Sequence, residues 1–201
     1  MDPCETALIL VGYQNDYFGK HGLLRQVVEE SSKVTNVIQN TVKLIQQLPT
    51  SCLIVSTPIH FTPTYEELVE PVGILKNIKE VGALQVGKSG SQMIPELLPF
   101  KTRIVEVPGK RGFNAFAHTA LDSFLRQQGV THVVLAGTVT SICVDSTGRF
   151  AHELGYKVSI LSDCTAARTV FEQDFYCQYI FPVYADTIAH TQLLNSFKVA
   201  A

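Results

Sequence analysis

A chain of 201 residues with a net charge of −2 is long enough to bury a full core and suits one domain spanning residues 1–201. Hydrophobic residues make up 46% and charged residues 17%, with Lys and Arg scattered, which excludes the basic footprint of a nucleic-acid binder or of a protein held on an anionic membrane. No apolar run reaches the ~18 residues of a membrane span, and the N-terminal stretch lacks a signal-peptide layout.

In chain order, strands and helices alternate. Residues 7–11 (Ala-Leu-Ile-Leu-Val) form a continuous apolar run, as expected of a strand covered on both faces. Residues 27–48 carry Val34, Val37, Ile38, Val42, Leu44, Ile45 and Leu48 close to helical spacing, and Pro49 stops the helix. Residues 52–56 are a second buried strand. Residues 58–100, with several prolines and short apolar clusters, read as short helices on a long surface excursion. A third strand covers 103–107 and is turned out by Pro108-Gly109. Thr119 is the expected N-cap of a helix with Leu121, Phe124 and Leu125 on one face and Gly129 at its end. A fourth strand at 132–136 leads into a helix over 141–154 closed by Gly155. A fifth strand covers 157–161, followed by a helix over 171–181, a short strand at 186–189 and a terminal helical turn at 192–197. Repeated alternation of this kind predicts an α/β fold: a mainly parallel sheet of about six strands with helices on both faces.

Cys143 stands out within this order. The strand–turn–helix reading places it in a first helical turn just beyond a strand end, where converging amides and the positive helix dipole favour a thiolate. Free cysteine is also among the most buried residue types, so position alone leaves a reactive thiol and a small buried hydrophobe both open. The five cysteines (4, 52, 143, 164 and 177) are irregularly spaced, without a CxxC pair, and read as reduced thiols of a cytoplasmic protein rather than a disulfide framework or zinc site. In a parallel sheet the strand ends share one edge, which makes Lys110, His60 and Asp163 the informative neighbours. Lys110 either meets the thiol or is simply solvated after its Pro-Gly turn. His60 is a base or a structural histidine, and Asp163 suits a turn or cap.

Four segments carry a resemblance. Residues 7–18 (ALILVGYQNDYF), 110–116 (KRGFNAF), 137–144 (GTVTSICV) and 162–166 (SDCTA) follow one another at the spacing of the isochorismatase-like cysteine hydrolases, which the chain resembles from about residue 6 onward. The resemblance implies a three-layer α/β/α Rossmann-like fold, no cofactor, a small-molecule substrate and a homo-oligomer. It implies hydrolysis of an amide, ureide or related C–N bond, an amidohydrolase-like reaction through a cysteine acyl-enzyme. Cys143 would be the nucleophile, Lys110 would hold it as thiolate, and the amides of Val139 and Cys143 would form an oxyanion hole aimed by a cis peptide between Thr138 and Val139.

One departure follows from the same comparison. Gly12 occupies the position of the family's general-base aspartate and cannot move a proton. That points to an impaired or atypical hydrolase, to a substitute base such as Asp16 or His60, or to a binding or redox-sensing relative that keeps the thiol. His60, in Thr57-Pro58-Ile59-His60, lacks partners at metal-ligand spacing, which argues against a metal-dependent nicotinamidase. Pocket walls are expected from residues 13–25, 58–75 and 165–185, with Tyr17, Phe18, Phe113 and Phe116 as candidate lining. The aromatic stretch 171–181 is a candidate subunit surface.

Overall fold

The structure, a computed structural model, describes residues 1–199; residues 200 and 201, the end of the expected domain, lie outside the described residues. Six parallel strands form one sheet in the order β3-β2-β1-β4-β5-β6. They are β1 Thr6–Val11, β2 Leu53–Thr57, β3 Ile104–Glu106, β4 His132–Thr138, β5 Lys157–Ala166 and β6 Asp186–Ile188. The helices are α1 Asn15–Phe18, α2 Glu29–Thr35, α3 Val37–Gln47, α4 Gly73–Val81, α5 Leu121–Gln127, α6 Asp145–Glu153, α7 Val170–Phe175 and α8 His190–Val199. Among the described residues no helix is long and apolar enough to cross a membrane.

Every residue of β1 and β4 is buried, which is why both read as unbroken apolar runs. Alternate side chains serve opposite layers. Leu8, Leu10, Ile54, Val134 and Ala136 share one cluster with Leu44 and Ile45 of α3 and with Leu193 and Phe197 of α8. Ala7, Ile9, Val55, Val133 and Leu135 share the other with Leu121 and Leu125 of α5 and Ala151 of α6.

The structure corrects several expected boundaries. The helix expected over 27–48 is broken at Asn36, which takes a left-handed conformation (φ +52°) between α2 and α3. Asparagine tolerates that region, and Asn40 Nδ2 donates to Thr35 O at 2.9 Å, satisfying a carbonyl at the broken end. Apolar spacing continues across the break, so the sequence hides it. α5 starts at Leu121, one residue later than a cap at Thr119 implies, yet the Thr119 hydroxyl still accepts from Leu121 N at 3.2 Å while donating to Ala115 O at 2.7 Å.

β5 does not stop at 161 but continues to Ala166. Its register against β4 slips, from Leu135 opposite Ile160 to Gly137 opposite Thr165. The polar residues Ser162 and Asp163 occupy the slip, which makes a continuing strand look finished. The segment expected as one helix over 171–181 divides into α7, a wide (π) turn Tyr176–Ile180 and a 3-10 turn Phe181–Val183.

The excursion between β2 and β3 is tied to the strand ends by the buried side chain of Gln14. Its Oε1 accepts from Ile59 N at 2.9 Å, and its Nε2 donates to Ile59 O at 2.8 Å and Ser91 O at 2.7 Å. A bridge between Ile59 and Lys110 then brings the exit of β3 to the same edge.

Candidate active site

β1 and β4 lie side by side, and the chain leaves them toward opposite halves of the sheet. This is the switch point of an open parallel sheet, where strand exits diverge and leave a crevice. Val11 pairs with Gly137 across it. A side chain at 137 would start 1.8 Å from Val11 O, and φ there is +121°, so the close approach requires glycine.

The Thr138–Val139 peptide is cis, and a π turn, Thr140–Val144, follows. Val139 O accepts from both Ile142 N (3.0 Å) and Val144 N (3.1 Å), which widens the turn, and α6 begins only at Asp145. Cys143 therefore sits in this turn rather than in the first turn of an α-helix over 141–154. Among the described residues, neither the Val139 amide nor the Cys143 amide donates to a partner outside the turn.

Lys110 is brought in by the loop after β3. Ala115 N donates to Thr147 Oγ1 at 3.0 Å, fastening that loop to α6. Lys110 is 1% exposed; its Nζ donates to Gly112 O and lies 3.5 Å from Cys143 Sγ. Burial pushes this ammonium below its ordinary pKa, and the Cys143 sulfur pulls it part of the way back. The solvated lysine that the Pro-Gly turn allowed is thus replaced by a buried one facing the thiol.

Gly12 adopts φ +70°, and a Cβ built there would meet Thr138 O at 2.9 Å and Thr138 Cγ2 at 3.1 Å. It therefore abuts the peptide that opens the cysteine turn. Among the described residues, neither substitute base hydrogen-bonds to Cys143. The Asp16 carboxylate accepts from Leu23 N (3.2 Å) and Leu84 N (2.7 Å), and His60 Nε2 is paired with Ser91 O at 3.2 Å.

Of the candidate lining residues, Tyr17 is buried near the thiol: burial, then the Cys143 sulfur, then Asp16 push its phenol well above the ordinary value. Phe18 stacks on Tyr13 and lines a cleft of about 650 Å³ reaching Lys88 and Glu96, which does not include Cys143. Phe113 lines a cleft of about 630 Å³ with Glu67, Arg111, Asn114, His118 and Ser146, alongside the Lys110 loop and the start of α6. Phe116 is buried and packs on Tyr156 and on the more exposed Phe150.

Two contacts have no signature in the sequence. Gln173, one residue of an ordinary helical pattern, meets Thr140 of the cysteine turn at 2.7 Å. Asp163, Cys164 and His190 hold donor atoms within 4.8 Å of one another, but the Asp163 carboxylate is committed to His190, accepting from its amide (2.9 Å) and its Nδ1 (2.6 Å). It thereby caps α8.

Burial pushes Cys52 and Cys177 up to about 12 and raises Cys164 as well, while Cys4 is exposed. Iodoacetamide at about pH 8 should therefore modify Cys143 and Cys4 in the folded protein and leave the other three until denaturant is added. Peptide mass spectrometry reads this directly, and an unmodified Cys143 would contradict it.

The sequence pattern of the isochorismatase domain matches residues 6–192. Among solved structures, a cysteine hydrolase from Pseudomonas syringae pv. phaseolicola superposes with a TM-score of 0.86 at 21% identity, covering 100% of this chain and 96% of that one. An isochorismatase-like hydrolase from Alkaliphilus metalliredigens gives 0.79 at 26% identity, with 96% and 99% covered. A pyrazinamidase/nicotinamidase from Streptococcus mutans gives 0.71 at 25% identity, with 91% and 99% covered.

Proposed function

The chain belongs to the isochorismatase family, and from that premise we propose that it is a cysteine-dependent hydrolase of a small amide, ureide or related C–N bond. The observation that carries this is the buried Lys110 ammonium 3.5 Å from Cys143 Sγ, beside two amides with no partner outside their own turn. An ammonium in that position pairs with a thiolate, and the pair needs no further charge to be stable in the crevice. The amide name of the Streptococcus mutans relative supports the bond class.

In this reading the Cys143 thiolate adds to the substrate carbonyl carbon. Negative charge gathers on the carbonyl oxygen, where the Val139 and Cys143 amides, which have no partner outside their turn, would take it up. The C–N bond then breaks, the nitrogen leaves carrying a proton, and water later cleaves the thioester. Gly12 stands, in this proposal, where the family carries its general base. Leaving-group protonation and activation of water then fall to solvent, which makes the enzyme slow or unusual in its substrate.

We further infer a reduced, cytoplasmic homo-oligomer acting on a small molecule. Its five cysteines are all free, and Phe171, Tyr179 and Val183 are exposed along the segment from α7 through the two turns that follow it.

The test is a panel of small amides and activated esters, followed by intact-protein and peptide mass spectrometry. An acyl adduct confined to Cys143 is the expected result. Saturable binding of the same compounds with no adduct would favour a non-catalytic ligand-binding relative instead.

A further inference from the structure

Gln173 lies on α7, 5% exposed, with both ends of its side-chain amide engaged. Its Oε1 accepts the Thr140 hydroxyl at 2.7 Å. Its Nε2 donates to Ser162 O at 3.0 Å and to Thr165 Oγ1 at 2.9 Å, and the Cys177 sulfur is a further neighbour at 3.4 Å. Ser162 lies in the register slip of β5, where the ladder to β4 is interrupted. One buried amide thus joins the cysteine turn, the slipped segment of β5 and α7.

Thr140 is fully buried and opens the π turn, directly after Val139 and three residues before Cys143. Fixing its side chain fixes the start of the turn whose later residue supplies the thiol and one of the two spare amides. We propose that Gln173 is a positioning residue for the oxyanion site: through Thr140 it keeps the Val139 and Cys143 amides converging on one point. This rests on the hydrolase reading above.

Two reagents separate this role from a structural one. With iodoacetamide the Cys143 thiolate forms a C–S bond at the methylene carbon and iodide leaves with the bonding pair, so no charge develops on a carbonyl oxygen. With p-nitrophenyl acetate the thiolate adds to the carbonyl carbon and the oxygen takes up the charge. The C–O bond then breaks, p-nitrophenolate leaves with its electron pair, and the acetyl group stays on sulfur. Only the second reaction uses the two amides.

Gln173→Met, which keeps bulk and removes both polar ends, should lower the acetylation rate about 10²-fold, the scale of one oxyanion donor lost. The rate and pH profile of alkylation should stay as in the wild type. Thr140→Val cuts the same contact from the other end and should reproduce the split, with no added loss in the double variant; it carries the test alone if Gln173→Met does not fold. A parallel fall in both reactions, or no fall in either, overturns the positioning role while leaving the hydrolase reading intact. A wild type that is alkylated but never acetylated overturns the hydrolase reading, and Gln173's role with it.

Discussion

In the proposed reading, Cys143→Ala should abolish acylation in the crevice, an expected loss of about 10⁴-fold or more in turnover, because the sulfur that forms the covalent intermediate is gone. The same substitution should change how stability depends on pH. Lys110 is buried with its Nζ 3.5 Å from the Cys143 sulfur, and removing the partner of a buried charge costs on the order of 3–5 kcal/mol unless the group gives up its proton. Burial lowers the folded-state pKa of Lys110 and Cys143 raises it, so removing the sulfur leaves the lowering influence unopposed. A lysine whose pKa is depressed by folding binds a proton on unfolding throughout the window between its two values. Stability therefore rises with pH toward the unfolded lysine value of ~10.4 and falls as pH drops through the folded one. In Cys143→Ala that window reaches to lower pH. Melting temperatures followed from neutral to alkaline pH should climb more steeply in the variant than in the wild type. Parallel curves would show that Lys110 does not answer to Cys143.

Gly12→Asp is expected to trade stability for rate. The residue has φ +70°, and a Cβ there would start 2.9 Å from Thr138 O, so any side chain meets both a disfavoured backbone region and a contact that must relax. Sparsely populated conformations of this kind cost about 1–3 kcal/mol, toward the lower end for aspartate, which tolerates the left-handed region better than most residues. In return the carboxylate enters beside the peptide that opens the cysteine turn. If Gly12 occupies the position of the base, turnover of an amide that acylates Cys143 should rise about 10²-fold or more. Gly12→Ala is the control: it shares the loss of stability and gains no rate. Melting temperatures together with single-turnover deacylation of the acyl-enzyme measure both quantities. An aspartate variant no faster than the alanine variant would remove Gly12 from the catalytic argument.

The strongest signals in the sequence were those that depend on local physics. The apolar runs that became β1 and β4 could be read because a parallel strand covered on both faces has no polar side to interrupt it. The step from β4 into Cys143 could be read because an apolar strand run ends at a glycine, and Gly137 has no room for any other residue. Where the sequence misled, polar residues and boundaries did not coincide as expected. Ser162 and Asp163 suggested a strand end but occupy a register slip, and Asn36 split a helix whose apolar spacing ran on uninterrupted.

Local order along the chain thus determined the parallel α/β architecture, the strand edge that holds the site, and Cys143 and Lys110 as candidate site residues, while Gly12 stood out only through the family resemblance. Tertiary structure alone decided that Lys110 is buried against the sulfur, that Asp16 and His60 are spent on Leu23, Leu84 and Ser91, and that Gln173 reaches Thr140. Apart from Asp16 with Leu23, seven positions on, those contacts join residues more than thirty positions apart. Their geometry depends on how the layers pack and where β5 slips against β4, and no periodicity or spacing along one chain encodes either.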